Sequence, residues 1–409
     1  MQGFIAHFRR AILAGTLVVS QVHAADIFVT ETKRTKDAMV AGKHDEAIKH
    51  LTRMIESGEA SRLQLGALFA IRCAEYVTID EYHLAIEDCT ESLRLDDAGH
   101  FVPFQSSLAR LSRCTSYLAT QSYDQAIEDC TALIEAKGVD LPTPIMRVKA
   151  LTGRCASHAA LGAYERAVED CTMAIGLAGT GAIDTPLLAL TYSSRCESYL
   201  GMAAFESAIV DCTTAIHLGE QQFSFGERGW AHFSLGQLDA AIADFDRALA
   251  IDPNDETTHF RRAVAAYGAD RFDDASLEFS WLGDVNVSYA YYAIWRFLAQ
   301  ERSHGSGDRH LATFATSNDL NKWPGAVIAY YLGRLTSSDV FALAKEAESE
   351  HDDGQSCEAN FYVGQFKLLA GETSAAMAMF ETADNICPPN FIEPPAARAE
   401  IRKLNELPE

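Results

Sequence analysis

The stretch RCASHAALGAYERAVEDC, residues 154–171, carries a cysteine near its start and another at its end. The same frame recurs as RCAEYVTIDEYHLAIEDC (72–89), RCTSYLATQSYDQAIEDC (113–130) and RCESYLGMAAFESAIVDC (195–212), so successive frames are 41 residues apart. Within each frame, apolar and small residues have helical spacing on both sides of a break such as Leu161–Gly162–Ala163. A period of this length predicts a stack of helical hairpins.

Two further hairpins follow, FGERGWAHFSLGQLDAAIADFDRALAIDP (225–253) and FRRAVAAYGADRFDDASLEFSWL (260–282). They resemble tetratricopeptide repeats, and so does a weaker first unit at AGKHDEAIKHLTRMI (41–55). The resemblance implies an all-α, right-handed superhelical solenoid of about seven hairpins, and it says almost nothing about the ligand. In the hairpin at 225–253, the residues that carry the resemblance are Gly229, Gly236, Ala241, Phe245, Ala248 and Pro253.

The cysteines of the four frames occupy the places that Gly229 and Phe245 occupy in the repeat at 225–253. Residues equidistant from the turn of an antiparallel hairpin lie side by side, and the cysteines of a later hairpin, residues 357–387, obey the same rule. Ten buried, reduced cysteines are the alternative, whereas zinc is disfavoured because close C-x-x-C spacing is missing. The predicted intra-hairpin disulfides are Cys73–Cys89, Cys114–Cys130, Cys155–Cys171, Cys196–Cys212 and Cys357–Cys387.

The first 24 residues, MQGFIAHFRRAILAGTLVVSQVHA, have a basic start, a short apolar run and a small-residue end. This pattern predicts a secretory signal peptide cleaved after Ala24, with an uncleaved anchor as the alternative. The apolar run is too short to span a bilayer. We therefore expect a periplasmic or secreted protein with no stable membrane anchor after cleavage, in a compartment where disulfides persist.

The chain has 34 basic and 57 acidic residues and a net charge of −23. Such a charge disfavours nucleic acid as a partner, and it permits a basic protein or wall polymer. We find no H-E-x-x-H, G-x-S-x-G or glycine-rich phosphate loop, and we predict neither catalysis, metal nor cofactor. His158 and His232 fill a slot that holds tyrosine in sister frames (Tyr76, Tyr117 and Tyr199), which indicates a structural role.

An arginine precedes the first slot of six hairpins, and an acid precedes the second slot of each. The hairpin geometry places the two columns next to each other, which predicts an arginine–carboxylate ladder between paired helices. A row of arginines that grips partner carboxylates is the alternative. The pairs are Arg72 with Asp88, Arg113 with Asp129, Arg154 with Asp170, Arg195 with Asp211, Arg228 with Asp244, and Arg262 with Glu278.

Aromatic residues concentrate in the later hairpins, on positions that conventionally face the groove of a tetratricopeptide array. A groove with these residues could hold an extended peptide or an amphipathic helix. The same residues could instead pack against the C-terminal part of the chain, and the sequence leaves both interpretations open. They are Phe223, Trp230, Phe233, Phe260 and Tyr267.

We divide the chain into the signal peptide (1–24), a tetratricopeptide array (25–283) and a C-terminal helical block (284–409) that contains the hairpin 357–387. The block resembles the C-terminal half of NlpI-type envelope lipoproteins. Its matching residues are Tyr292–Trp295, Trp323, Tyr331–Gly333, Asn360–Gly364 and Phe391–Glu393.

The second resemblance implies a non-enzymatic adaptor that binds protein and brings a periplasmic processing protease to cell-wall hydrolases. The present chain differs from that family because it has no cysteine for lipid attachment, a longer array and disulfide-bonded hairpins. A structural factor associated with peptidoglycan or another polysaccharide is the alternative. The sequence does not identify the partner.

Overall fold

The computed structural model describes residues 26–95, 103–137, 142–177, 184–219, 223–286, 289–305, 307–320, 322–347 and 354–406. Every regular element in these ranges is an α-helix, 21 helices in all. The predicted all-α fold of helical hairpins is therefore confirmed. The predicted signal peptide, residues 1–24, lies outside the described residues.

The seven hairpins of the predicted array are consecutive helix pairs. They are α1 (Asp26–Val40) with α2 (His44–Glu56), α3 (Arg62–Thr78) with α4 (Tyr82–Leu95), α5 (Pro103–Ala119) with α6 (Tyr123–Glu135), α7 (Pro144–Ala160) with α8 (Tyr164–Gly176), α9 (Thr185–Gly201) with α10 (Phe205–Leu218), α11 (Ser224–Ser234) with α12 (Leu238–Leu249), and α13 (Glu256–Gly268) with α14 (Phe272–Val285).

Seven more helices follow in the C-terminal part of the chain. They are α15 (Ala290–Ser303), α16 (Asp308–Ser317), α17 (Gly325–Tyr331), α18 (Ser337–Ala347), α19 (Gly354–Leu369), α20 (Thr373–Ile386) and α21 (Glu393–Glu406). No helix in the described ranges is both long enough and apolar enough to cross a membrane.

The chain forms two compact units. Unit 1 contains Met1–Met202 and Thr214–Glu220, and unit 2 contains Ala203–Thr213 and Gln221–Glu409. The predicted boundary after residue 283 lies inside unit 2. In this unit the Trp295 ring of α15 lies 5.4 Å from the Tyr267 ring and 6.4 Å from the Phe260 ring of α13. The last array hairpin therefore shares a core with the C-terminal helices.

Sequence signals at helix ends explain the long first helices of the disulfide hairpins. The Thr143 and Asp184 side chains accept hydrogen bonds from the Met146 and Leu187 amides, and a proline lies in the first turn of each helix. Helices α7 and α9 are consequently 17 residues long, against 11 for α11 and 13 for α13. The extra residues between frames lengthen helices and add no new domain.

The predicted disulfides of the frames form inside their hairpins. The Cα–Cα distances are 5.4 Å for Cys73–Cys89, 5.8 Å for Cys114–Cys130 and 5.6 Å for Cys155–Cys171, within the usual range for the bond. Cys196 and Cys212 are disulfide-bonded as well. In unit 2, Cys357–Cys387 joins α19 to the end of α20, with a Cα–Cα distance of 5.0 Å.

In unit 2, ring-on-glycine contacts fill the slots that disulfides fill in unit 1. A Cβ atom on Gly229 would lie 2.8 Å from the Phe245 ring, and one on Gly364 would lie 3.0 Å from the Phe380 ring. Glycine is required here because any larger side chain would collide with the ring. Both phenylalanines are completely buried.

Candidate functional site

The arginine–carboxylate ladder exists as pairwise, two-point contacts within hairpins. In four of the six pairs, guanidinium Nε and Nη2 donate to the two carboxylate oxygens, at 2.7 and 2.8 Å in Arg113–Asp129 and at 2.7 and 2.7 Å in Arg228–Asp244. Arg72–Asp88 and Arg154–Asp170 have the same geometry. In the last hairpin, Arg262 donates to Glu278.

A threonine from the preceding hairpin completes five of the six arginine sites. The remaining nitrogen, Nη1, donates to its hydroxyl oxygen in Arg113–Thr90 at 3.1 Å and in Arg154–Thr131 at 3.0 Å. Thr131 directly follows a cysteine of its frame, so the recurrence of Asp–Cys–Thr is a sequence signal for this contact that the ladder prediction did not use. The same contact occurs in Arg72–Thr52, Arg195–Thr172 and Arg228–Thr213.

These contacts occupy the hydrogen-bonding edges of the guanidinium groups. Burial alone would lower the pKa of Arg113, but the hydrogen bond and the charge of Asp129 raise it above its ordinary value. The side chain of Asp129 is only 3 % exposed. An arginine held in this way has little left to offer a partner, which favours the structural interpretation of the ladder.

The two histidines in the tyrosine slot lie beside ladder carboxylates. His158 Nε2 is 3.9 Å from Asp170, and His232 Nε2 is 3.8 Å from Asp244. Burial lowers the pKa of His158. The two imidazoles thus lie against the ladder in the place of a tyrosine.

The five aromatic residues of the predicted groove do not form an open surface. Trp230, Phe233 and Tyr267 are buried, and Phe260 is half-buried against Trp295. The Tyr267 hydroxyl donates to Gln365 Oε1 at 2.8 Å. Packing against the C-terminal helices is therefore the alternative that the structure shows for Phe260 and Tyr267, because α15 and α19 cover them.

Of the five, only Phe223 is exposed, at 57 %. It lies directly before α11, away from the rings that were expected to accompany it. The guanidinium of Arg261 covers the Trp230 ring at 4.8 Å. Of the two interpretations that the sequence left open, packing in the interior of unit 2 therefore holds for Trp230, Phe233, Phe260 and Tyr267.

The most exposed apolar surface of unit 2 lies on α14. Leu277, Trp281 and Val285 are 75 %, 37 % and 49 % exposed, and their spacing of four residues places them along one side of the helix. We call these three residues the α14 face. The ring of His259 lies 4.2 Å from that of Trp281 and supports it from α13.

The corresponding surface of unit 1 is charged. The slot of Leu277, two residues before the second slot of the hairpin, holds an exposed glutamate in three disulfide hairpins: Glu87, Glu128 and Glu169. The contrast between leucine and glutamate is visible in the aligned repeats, and the groove prediction overlooked it. The fourth disulfide hairpin holds Val210 in this slot, 64 % exposed, so it is the row of three exposed apolar residues that marks the α14 face as a candidate interaction surface.

A sequence profile of the family "Tetratricopeptide repeat" matches residues 224–255, which contain α11 and α12. Among solved structures, the apo form of the quorum sensor NprR from B. thuringiensis is similar with a TM-score of 0.53 at 9 % identity, over 87 % of this chain and 97 % of that one. This similarity concerns the fold alone.

Two other solved structures are similar with lower scores. A tetratricopeptide repeat protein from Parabacteroides merdae has a TM-score of 0.43 at 15 % identity, over 73 % of this chain and 99 % of that one. A Rap protein complexed with competence and sporulation factor has a TM-score of 0.47 at 11 % identity, over 92 % and 100 %. The predicted tetratricopeptide resemblance is confirmed at residues 224–255, within a chain whose described regular elements are all helices.

Proposed function

We propose that the protein is an exported, non-enzymatic scaffold that binds a partner protein through the α14 face. The observation that carries this proposal is the row Leu277, Trp281 and Val285, exposed over three turns of one helix. Leaving such a row in water is unfavourable, and covering it with a partner would remove apolar surface from solvent. Buried aromatic anchors such as tryptophan contribute strongly to interfaces of this kind.

The charges around the α14 face favour a basic amphipathic helix as the partner segment. Asp273, Asp274 and Asp284 are exposed on the same helix, beside the apolar row, and the whole chain carries a net charge of −23. A partner helix with apolar residues along one side and lysine or arginine at its edges would complement this surface. An acidic partner would meet repulsion there.

The disulfides support export to an oxidising compartment, because such bonds do not persist in a reducing cytosol. Export agrees with the signal peptide expected at residues 1–24. The resemblance of the C-terminal block to NlpI-type adaptors supports a processing protease or a wall hydrolase as the partner. We propose the bacterial periplasm as the place of action.

Site-specific crosslinking tests the proposal. A photoreactive amino acid at position 284, beside the α14 face, should capture a partner in intact cells that express the exported chain. The matched control places the same group at position 169, in the slot of unit 1 that is equivalent to Leu277. Capture of one protein at position 284, absent at 169 and lost in Leu277→Glu, supports the scaffold, and the crosslinked segment should be basic and amphipathic.

Leu277→Glu is a mild change because sister hairpins hold glutamate in that slot. We expect it to leave the unfolding midpoint unchanged and to weaken binding of the captured partner at least about tenfold, since an apolar contact becomes a buried charge. Ile251→Glu, at another exposed apolar residue of unit 2, should leave binding intact. Equal capture at both positions, or recovery of wall fragments alone, would contradict the proposal and favour the polysaccharide-associated alternative.

A further inference from the structure

A cleft with about 150 Å³ of room opens where α15 and α16 meet the end of α14. The rings of Tyr289, Tyr292 and Phe314 form much of its wall, and Arg296 and His310 also line it. All of these residues belong to unit 2. The cleft therefore combines aromatic surface with two nitrogen-rich side chains.

The guanidinium of Arg296 is poorly satisfied in this position. Its Nη2 donates to His310 Nε2 at 3.3 Å, and its Nε is buried without a hydrogen-bond acceptor among the described residues. A guanidinium has five N–H donors, and burying one without an acceptor costs free energy. The described residues thus leave part of the hydrogen-bonding capacity of this guanidinium unused.

Two other partly buried arginines of unit 2 have carboxylate partners, whereas Arg261 lies over the Trp230 ring. Arg228 pairs with Asp244 at 2.7 Å and Arg302 with Glu400 at 3.4 Å. Arg296 has no carboxylate within 4 Å in the described ranges, and burial lowers its pKa, with the charge of Asp284 opposing that effect. A positive charge without a contact partner is unusual in a chain with a net charge of −23.

We infer that this cleft binds a carboxylate that sits next to an apolar group, such as the C-terminal residue of a peptide. Arginine forms charge-assisted hydrogen bonds to carboxylates, and Arg296 lines the cleft with no carboxylate within 4 Å of it in the described ranges. The aromatic walls suit an apolar side chain. The room corresponds to about five water volumes, which accommodates one residue rather than a long segment.

The site is separate from the α14 face. Its wall includes Gly283 of α14 and Asn286, which directly follows that helix. Helical spacing places Gly283 on another side of α14 from Leu277 and Trp281. The carboxylate site thus stands or fails independently of the scaffold proposal. If both hold, one partner could present a helix to the α14 face while a chain terminus occupies the cleft.

Ligand-observed NMR on the full-length mature chain tests the inference. The probe is N-acetyl-L-phenylalanine, and the control is N-acetyl-L-phenylalaninamide, which lacks the negative charge. We expect the acid to bind at millimolar concentration and the amide to bind about tenfold more weakly, because hydrogen bonds to a charged group are lost. A pentapeptide that ends in phenylalanine should bind more tightly than the single residue if the natural ligand is a chain terminus, and equally if it is a small free acid.

Variants assign the effect to the cleft. Arg296→Gln should remove the preference for the acid, whereas Arg334→Gln, at an exposed arginine of the same unit, should preserve it. His310 is exposed, so His310→Ala retains the fold and should weaken binding severalfold. Equal binding of acid and amide, unchanged binding in Arg296→Gln and His310→Ala, or equally strong competition by inorganic phosphate would overturn the inference.

Discussion

The two units fill equivalent hairpin slots with different chemistry. In unit 1 a disulfide such as Cys114–Cys130 joins the slots, and in unit 2 the Phe245 ring lies against Gly229. Gly153 belongs to the next hairpin of unit 1. A Cβ atom added to it would lie 3.5 Å from the Cys114 sulfur atom and 3.4 Å from the Cys130 sulfur atom. The disulfide thus occupies the core position of the aromatic ring.

The hydrophobic cores of the two units differ, and this difference explains why disulfides stabilise unit 1. Its described interior contains one buried aromatic residue, Phe28, and many small hydroxyl side chains. Unit 2 buries large rings throughout, including Trp295 and Tyr362, and it holds all four tryptophans of the chain. Small side chains remove little apolar area from water, so covalent links add stability where packing gives least. Buried hydroxyls in unit 1 include Ser92, Ser112, Ser116, Thr152, Ser157, Thr191 and Ser198.

Among the variants that test this difference between the units, removal of one disulfide should cause the largest loss of stability. Cys155→Ala with Cys171→Ala is expected to lower the free energy of unfolding by about 3 kcal/mol, because the unfolded chain regains the entropy of a short loop. Urea unfolding followed by far-UV circular dichroism measures the loss. Tryptophan fluorescence reports on unit 2 alone and should shift less, since both cysteines lie in unit 1.

Two companion variants sharpen that result. Cys171→Ala alone leaves the Cys155 thiol free to mispair, and it should cost more than the exchange of both residues for the glycine and phenylalanine of the equivalent slots. A Cys155→Gly, Cys171→Phe chain that unfolds while both single exchanges fold would show that the register assigned to the repeats is in error. Retention of most stability would show that the two chemistries are interchangeable.

The repeat made the disulfides and the ladder predictable, because one geometric rule applies to every hairpin. The sequence left two interpretations open for Phe260 and Tyr267, because these residues lie where the repeat ends and helices outside it begin. No periodicity specifies that α15 inserts Trp295 among them. Leu277 is an exposed apolar residue in a slot that holds glutamate in other hairpins, for example Glu87. This difference becomes visible only when the repeats are aligned and each slot is compared.

A buried carboxyl group in unit 2 should make the stability of that unit depend on pH, with an effect smaller than that of the disulfide. Glu393 is 3 % exposed and accepts a hydrogen bond from the Tyr362 hydroxyl. Burial, reinforced by the charge of Glu358, raises the pKa of Glu393. The folded state therefore holds this proton after the unfolded state has lost it, and stability falls as pH rises from about 4.5 through the folded pKa.

Glu393→Gln should make stability less dependent on pH. Above pH 8 it should raise the free energy of unfolding by on the order of 2 kcal/mol, since no charge remains to be buried. Tryptophan fluorescence during urea unfolding between pH 5 and pH 9 measures it. The control is Glu381→Gln, at an exposed carboxyl group on α20, which should keep the parental slope. An unchanged slope in Glu393→Gln would mean that another group is responsible.

Removal of the threonine hydroxyl that links neighbouring hairpins should cause the smallest loss of stability. In unit 1, Thr131 accepts from Arg154, whereas in unit 2 the equivalent slot holds Asp246, which accepts from Arg262 Nε at 2.6 Å. Thr131→Val keeps the shape and removes the hydroxyl, so we expect a loss of about 1 kcal/mol, typical of one hydrogen bond. Thr131→Asp should recover it at low salt by copying unit 2, and equal stability of all three chains in urea would show that the inter-hairpin bond contributes nothing measurable.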